Sequence, residues 1–331
     1  MSPTDSPNGS ASTRRPGTDD KPWRVVTAKE TVWERLRELW RFRELLAAMT
    51  RQQFRVQYKD SVLGLLWSLL NPATTLLVYF VVFQLILKNG IPRFAIYLMS
   101  GLLVWNFFSV SLVSSCASVV GNAGIVKKVA FPREIPALAS IGSALIQMGL
   151  QAIVMVLFMF FFWHGPAVAY LPLLVPALAA VILLGAAFGV LLAAVNVRYR
   201  DTQHLLAVAI NVWFWATSIV YPFRMVRDKV FQFVAGQSGM VLRPNHEFWF
   251  VLWILWRLNP VTPIVLTFQR TLYAATSPKG QHGAVIHILP DHANQLWYLW
   301  QLGLVLLFAV VVLGLALKLF SRMEGHFAED L

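Results

Sequence analysis

The chain has 331 residues, of which 57% are hydrophobic and 13% are charged, about half the charged fraction of roughly 25% in an average soluble domain. Between residues 135 and 197, 63 consecutive positions hold no Asp, Glu, Lys or Arg, whereas buried core helices rarely exceed about 20 uncharged residues. This composition excludes a water-soluble globular protein and predicts an all-α integral membrane protein.

The chain is strongly basic, with a formal net charge of +12. A basic balance can indicate nucleic-acid binding, but 12 of the 28 Lys and Arg residues lie in the first 64 positions, before the first apolar stretch. That distribution favours contact with a membrane surface, and we expect no nucleic-acid partner. The one cysteine, Cys116, permits no internal disulfide.

The amino-terminal part divides into a polar tail and a helix. We expect residues 1–28 to form a disordered cytosolic tail, because the first 22 are rich in Pro, Ser and Gly and contain no apolar stretch typical of a signal peptide. In 29–60, apolar residues recur at helical spacing among arginines, with Trp33 and Trp40 beside them. This pattern predicts an amphipathic helix on the membrane surface; a soluble helix packed on a neighbour is the alternative.

Six apolar stretches follow, each long enough to cross roughly 30 Å of hydrocarbon as a helix. They lie at about 65–87, 95–119, 137–162, 173–196, 203–222 and 297–317. Together they predict a transmembrane domain over 61–320.

The region between the fifth and sixth spans is mixed in character. We expect an outer insertion at 223–258 and re-entrant segments within 259–276, since the apolar runs 248–256 and 261–275 are too short to cross as helices. Pro260 and Pro263 mark the break between these runs.

Six crossings and a cytosolic amino terminus place the carboxyl-terminal tail, 321–331, in the cytosol as well. The cytosolic segments then hold 19 Lys and Arg residues and the outer segments hold 9, as the positive-inside rule requires. A seventh crossing through 248–256 would place the carboxyl terminus outside.

No motif predicts chemistry by this chain. The sequence contains no phosphate-binding loop and no Cys–His cluster suited to zinc, and no carboxylate lies in a predicted span, since Asp60, Glu134 and Asp201 all fall in loops. We therefore expect no catalytic, cofactor-binding or metal-binding residue. Carriers driven by protons or sodium normally have ionisable groups within their spans, so the chain either receives energy from a partner or is a passive channel.

Two cytosolic loops are candidates for contact with such a partner. In "GIVKKVAFPREIPALAS" (124–140), Phe131 and Pro132 interrupt any helix, and Arg133 and Glu134 are expected to begin a short exposed helix. The turn "NVRYRD" (196–201) is similar. Its charged residues are Arg198, Arg200 and Asp201. The alternatives are an ordinary positively charged loop for 124–140 and headgroup anchoring for 196–201.

Four blocks of sequence resemble one family. The first has Tyr58, Lys59, Ser61, Leu63, Gly64, Trp67 and Pro72, in a Tyr-Lys-x-Ser-x-Leu-Gly-x-x-Trp-x-x-x-x-Pro pattern before the first span. "VKKVAFPREIPALAS", "NVRYRDTQHLL" and "IVYP…NPVTPIVLTFQRTL" follow in order. Over about residues 35–320 the chain resembles ABC-2-type polysaccharide and polyol-phosphate export permeases (Wzm, KpsM, TagG), the transmembrane subunits of ABC transporters.

The resemblance implies a homodimer in the bacterial cytoplasmic membrane, with two Wzt-like ATPase subunits that bind ATP and Mg on separate chains. The cargo would be a lipid-linked glycan such as O-antigen, teichoic acid or a cell-wall galactan. The residues implied to couple transport to the ATPase are Phe131, Pro132, Arg133, Glu134, Arg198, Arg200 and Asp201. The family usually has Ser-Pro where this chain has Thr217-Ser218, so we expect a less kinked fifth span here.

A glycan channel favours aromatic rings, which can stack on the C–H faces of sugars. The gate and channel candidates are Trp67, Tyr79, Phe83, Trp105, Trp213, Tyr221, Pro222, Pro260, Pro263 and Arg270. The alternative for any single ring is the interfacial aromatic belt or packing against lipid.

Two other functions stay open. A related ABC-2-type permease could export a small molecule. A membrane-embedded glycosyltransferase or acyltransferase would need an acid or base at membrane level, and the spans contain none.

Overall fold

A computed structural model of the chain describes residues 32–59, 64–88, 90–129, 131–223, 258–276, 288–290 and 294–323. Every regular element in these ranges is helical, which confirms the predicted all-α class. The α-helices are α1 (Val32–Arg41), α2 (Arg43–Tyr58), α3 (Trp67–Tyr79), α4 (Phe94–Gly121), α5 (Ala123–Val126), α6 (Ile135–Phe161), α7 (Leu174–Arg198), α8 (Thr202–Ala216), α9 (Val261–Phe268) and α10 (Gln295–Met323).

Several helices are extended by turns of other geometry. A 3₁₀ turn, Gly64–Leu66, precedes α3, and π-helical turns, Phe80–Ile86, continue it. Another 3₁₀ segment, Val168–Leu173, leads into α7, and a π-helical segment, Gln269–Tyr273, follows α9.

Five helical stretches in the described residues are long and apolar enough to cross a membrane. They are Trp67–Ile86, Phe94–Gly121, Ile135–Phe161, Val168–Arg198 and Gln295–Met323. They coincide with the first, second, third, fourth and sixth predicted spans.

The predicted fifth span differs, because α8 has 15 residues and ends at Ala216. At 1.5 Å per residue it is roughly 22 Å long, short of the roughly 30 Å of hydrocarbon. Thr217 is extended, with φ −104° and ψ 132°, and no helix continues through 217–222. The expectation of a straighter span in the absence of the usual proline is therefore wrong.

The predicted amphipathic helix is two helices, α1 and α2, with Phe42 outside regular helical geometry at φ −91° and ψ 18°. Their apolar side packs on the residues that precede and begin α6. The cluster comprises Met49, Val126, Phe131, Ile135 and Ala139, with Leu39, Phe42, Leu45 and Leu46 packed against it. Trp33 and Trp40 stay 72% and 71% exposed, which suits anchors at a membrane interface.

The centre of the bundle is α4, which packs against α6 and α7, while α7 packs against α10. Small residues allow these helices to approach closely, as is common in membrane proteins. A Cβ added to Gly189 on α7 would lie 3.0 Å from the Ser115 side chain on α4.

The bundle has two distinct ends. At the proximal end, α4, α7 and α10 finish together in a buried cluster that includes Val119, Val197 and Phe320, close to α1 and α2. At the distal end, the start of α4 meets the residues after α9, where the Tyr97 and Tyr273 rings are 5.4 Å apart. The predicted coupling loops lie at the proximal end, and Tyr221 and Arg270 of the predicted gate and channel set lie at the distal end, near Tyr97 and Tyr273.

Candidate functional site

The first coupling loop is held by a buried ion pair. Glu134 is fully buried, and its Oε1 accepts a hydrogen bond of 2.8 Å from Nε of Arg35 on α1. Phe131 and Pro132 are buried as well, and the residues after Glu134 begin the long helix α6. The expectation of a short exposed helix here is wrong, because α1 and α2 cover these residues; their coupling role stays a prediction.

The exposed part of the same loop precedes Phe131. Ile125 and Val129 are 42% and 54% exposed, and Lys127 and Lys128 are exposed between them. An apolar pair around two ammonium groups could bind an apolar, acidic surface.

The second predicted loop is a tight turn between α7 and α8. Arg198, Arg200 and Asp201 are all exposed, and the Arg198 guanidinium lies 5.7 Å from the centre of the Tyr199 ring. Asn196, two residues before Arg198, is buried and donates a hydrogen bond of 2.8 Å to the carbonyl of Cys116 on α4. The structure thus places both loops at the same end of the bundle.

The irregular segment after α8 is held at the distal end by Asn259. The Asn259 Nδ2 donates to Thr217 Oγ1 at 2.9 Å and to the Ala216 carbonyl at 3.2 Å. Its Oδ1 accepts from Trp213 Nε1 at 2.9 Å and from the Val261 amide at 3.0 Å. One buried side chain therefore joins the end of α8 to the start of α9.

Two further polar side chains bind the irregular backbone. The Gln269 Nε2 donates to the carbonyls of Ser218 and Ile219, each at 3.4 Å, and the Tyr97 hydroxyl donates to the Tyr221 carbonyl at 3.0 Å. Non-helical backbone at membrane depth is tolerated where protein satisfies its polar groups. These bonds are the physical reason that α8 can end at Ala216.

The segment Val261–Tyr273 is short and mostly buried; its re-entrant character stays a prediction. Arg270 lies 4.3 Å from the centre of the Tyr170 ring and donates to the Ala274 carbonyl. Pro260 and Pro263 are half-buried at its start. The other predicted segment, 248–256, and nearly all of the insertion 223–258 lie outside the described residues.

A histidine joins three elements at the distal end. The Nη1 of Arg93 is 3.0 Å from His164 Nδ1, and His164 Nε2 is 3.0 Å from the Tyr273 carbonyl. The arginine must donate, so Nδ1 accepts and Nε2 carries the proton that is donated to the carbonyl. Burial lowers the pKa of His164, and the positive charge of Arg93 lowers it further.

Most of the predicted channel aromatics pack against other aromatic rings of the bundle. The Tyr79 ring stacks on Phe214 at 5.6 Å, and Trp105 meets the same ring edge-on at 5.5 Å. Trp105 is 6% exposed. Trp213 packs on Phe108 at 5.1 Å, and Phe83 lies 6.3 Å from Phe94. Trp67 is apart from these rings and 50% exposed. The channel role of all these rings stays a prediction.

A cavity of about 390 Å³, with polar and apolar side chains in its wall, lies between α2, α4 and α6 on the proximal side. Its wall consists of Met49, Gln52, Gln53, Val56, Gln57, Val110, Ser114, Ala117, Ser118, Asn122, Ser140, Ser143, Ala144 and Gln147. No motif in the sequence indicates this site. The signal that could have shown it is the glutamine-rich run "RQQFRVQY" (51–58), which places three amides on an amphipathic helix.

The bundle of membrane-length apolar helices, with an amphipathic pair at one end and a short buried helix at the other, defines a multi-pass membrane protein. A family model described as ABC-2 type transporter matches residues 44–238, more than half of the chain. The chain therefore belongs to the ABC-2 type transporter family, which confirms the resemblance found in the sequence blocks.

Named relatives are similar over long stretches. The chain is 27% identical over 298 residues to the "O-antigen export system permease protein RfbA" of Myxococcus xanthus, a match that covers 89% of this chain and 98% of that protein. It is 31% identical over 191 residues to a protein of the same name from Klebsiella pneumoniae, which covers 56% of this chain and 72% of that protein.

Proposed function

We propose that the chain is the membrane-spanning permease subunit of an ATP-driven exporter that moves a lipid-linked polysaccharide across the bacterial cytoplasmic membrane. The observation that carries this proposal is the similarity, over 89% of this chain and 98% of the relative, to an O-antigen export permease. Both termini are cytosolic in this proposal, with the proximal end at the cytosol and the distal end outside.

The energy source in the proposal is a separate ATPase that binds ATP and Mg. Charged residues in the five membrane-length helices are confined to the final turns, at Arg198, Lys318 and Arg322. Neither a carboxylate nor a histidine interrupts these five stretches, so they contain no group that could relay protons. Nucleotide hydrolysis on a partner supplies the energy for transport.

The ATPase docks on the proximal loops. Ile125, Lys127, Lys128 and Val129 form the exposed part of the first loop, and Arg198, Arg200 and Asp201 form the second. The buried Arg35–Glu134 pair ties α1 to the first loop. A movement of the loop caused by the ATPase is therefore transmitted to α1 and, through the apolar cluster around Phe131, to α2 and α6.

A second copy of the chain completes the channel. Helices α3 and α8 carry exposed apolar side chains, among them Leu77 and Val78 on α3 and Val208 and Val212 on α8. These faces contact lipid or the second copy. The distal segment Val261–Tyr273, which contains Pro263 and Arg270, acts together with Tyr221, Pro222 and Pro260 as the gate on the outer side.

Deletion of the gene tests the proposal. Cells that lack the permease should accumulate a lipid-linked glycan on the cytosolic face of the membrane, and expression of the chain should clear it. Increased sensitivity to a small toxic compound, without accumulation of a glycolipid, would instead indicate small-molecule efflux.

Co-purification tests the docking surface. The wild-type chain should retain an ABC ATPase through purification, whereas Lys127→Glu combined with Lys128→Glu should release it, because both ammonium groups are exposed. Lys88→Glu, an exposed lysine at the distal end, is the matched control and should leave the complex intact. Equal retention in all three would place the ATPase elsewhere.

A further inference from the structure

The wall of the cavity between α2, α4 and α6 combines hydrogen-bonding and apolar side chains and carries no charged side chain. Nine of its fourteen wall residues have neutral polar side chains, and none is Lys, Arg, His, Asp, Glu or an aromatic residue. Its volume of about 390 Å³ is within the roughly 300–1,000 Å³ of small-molecule sites.

The polar wall is costly to place beside a membrane. Gln147 and Ser143 on α6 are 8% and 6% exposed, and burying an amide or hydroxyl whose hydrogen-bonding groups are not all satisfied is unfavourable. Polar side chains inside a membrane domain are accordingly associated with function. Packing alone does not require so many of them in one place.

Three amides are held in position by the protein and keep one polar atom for a ligand. Gln147 Nε2 donates to Gln57 Oε1 at 2.7 Å, Gln53 Nε2 donates to the Pro136 carbonyl at 3.2 Å, and Asn122 Nδ2 donates to the Ser118 carbonyl at 2.7 Å. Among the described residues, nothing donates to the carboxamide oxygens of Gln53, Gln147 and Asn122. The cavity therefore presents fixed acceptors beside the hydroxyls of Ser114 and Ser143.

The chemistry of the wall selects the class of ligand. Amides and hydroxyls both donate and accept hydrogen bonds, as sugar hydroxyls do. A phosphate or diphosphate would require Lys, Arg or an array of backbone amides, and an acyl chain would leave the amides unsatisfied. A neutral polyol matches the wall because it donates and accepts hydrogen bonds and carries no charge.

We propose that this cavity binds a sugar residue of the lipid-linked cargo, on the cytosolic side of the channel and beneath the amphipathic helix α2. This inference rests on the proposed function and specifies its substrate contact. Helix α2 forms one wall, and its close approach to α6 depends on Gly142, where an added Cβ would lie 2.7 Å from Thr50 Oγ1.

Thiol labelling tests the site directly. The native Cys116 is fully buried, so a cysteine placed in the cavity wall by Ser114→Cys is the reactive thiol to be followed with N-ethylmaleimide in proteoliposomes that contain the complex. The probe is the lipid-linked glycan extracted from cells lacking the permease. Polyprenyl diphosphate without sugar is the comparison. Val113→Cys, exposed and adjacent but outside the cavity wall, is the matched control.

The glycolipid should slow labelling of Ser114→Cys about fivefold or more, while the sugar-free lipid should not, and neither should slow Val113→Cys. Adding Ser143→Ala to Ser114→Cys should raise the glycolipid concentration needed for half-protection about threefold to tenfold, as expected for one lost hydrogen bond.

Equal protection by the sugar-free lipid would overturn the inference and indicate a lipid site. Absence of protection in a complex that still transports the same glycolipid would overturn it and leave the proposed function intact. Failure of the wild-type complex to transport that glycolipid at all would overturn the proposed function, and the inference with it.

Discussion

The contact between α2 and α6 yields the sharpest quantitative prediction, through the substitution Gly142→Ala. The added Cβ would lie 2.7 Å from Thr50 Oγ1 and 2.9 Å from Thr50 Cγ2, whereas nonbonded heavy atoms prefer roughly 3.5–4.0 Å. Thr50, and α2 with it, must therefore retreat by about 0.8 Å or more. Overpacking of this kind costs roughly 1–3 kcal/mol.

A second glycine on the same helix provides the control. A Cβ added to Gly149 meets nothing within 4 Å, so Gly149→Ala should stabilise α6 by the roughly 1 kcal/mol by which Ala exceeds Gly in helix propensity. The difference between the two variants isolates the clash. Because about 1 kcal/mol shifts the melting temperature of a 150–250-residue domain by roughly 2–4 °C, Gly142→Ala should melt roughly 2–12 °C below Gly149→Ala.

The assay is thermal unfolding of the purified complex, in which the folded fraction of a fluorescent fusion is measured by size-exclusion chromatography. Thr50→Ala removes both close atoms and leaves a Cβ contact of 3.4 Å, so the double variant should recover most of the loss. Equal melting temperatures for Gly142→Ala and Gly149→Ala, or no recovery in the double variant, would refute the close approach of α2 to α6.

Three further predictions concern the ends of the bundle. Asn259→Ala removes four hydrogen bonds, two of them buried, and should lower the free energy of unfolding by roughly 1–3 kcal/mol or more, measured by thermal unfolding with the exposed Asn71→Ala as control. Glu134→Ala removes the carboxylate from the buried Arg35 guanidinium, which should cost roughly 3–5 kcal/mol of stability and lower glycan-stimulated ATP hydrolysis. The double variant Arg35→Met with Glu134→Leu should regain stability without regaining that stimulation. Full stimulation in Glu134→Ala would refute the role of the ion pair in coupling. Burial lowers the pKa of His164. The neutral side chain therefore stabilises the distal end at pH values above the ordinary histidine pKa of about 6.5, and this contribution is lost as the pH falls through the lowered pKa. His164→Gln should flatten that part of the pH dependence of unfolding.

The long apolar helices could be predicted from the sequence because hydrophobic length is a local property. The end of helix α8 could not be predicted, because the sequence stays apolar through Ile219 and Val220. Its end is determined by two side chains that are distant in sequence. Asn259 binds Thr217, 42 residues earlier, and Gln269 binds the carbonyl of Ile219, 50 residues earlier. No window of local hydropathy includes that information.

The same limit applies to the coupling loop. The sequence predicts that Arg133 and Glu134 are both exposed. Glu134 is buried, however, because Arg35, 99 residues earlier, forms an ion pair with it. The spacing of Leu39, Leu46 and Met49 correctly predicted an apolar helical face. The identity of its partner, the start of α6, depends on tertiary packing.

The cavity between α2, α4 and α6 lay outside any motif because its wall comes from three separate helices. Gln53 and Gln57 share one side of α2, but Ser114 and Gln147 sit on α4 and α6 in sequences that are otherwise apolar. Their significance depends on the juxtaposition of the three helices.

Reconstitution tests the central claim most directly. The chain is placed in liposomes alone or with its ATPase, the glycolipid extracted from deletion cells is supplied on the ATPase side, and its arrival on the opposite face is measured with a membrane-impermeant sugar-modifying enzyme. Transfer should occur only when the permease, the ATPase and ATP with Mg are all present. Uphill transfer by the permease alone, or no transfer by the full complex, would contradict it.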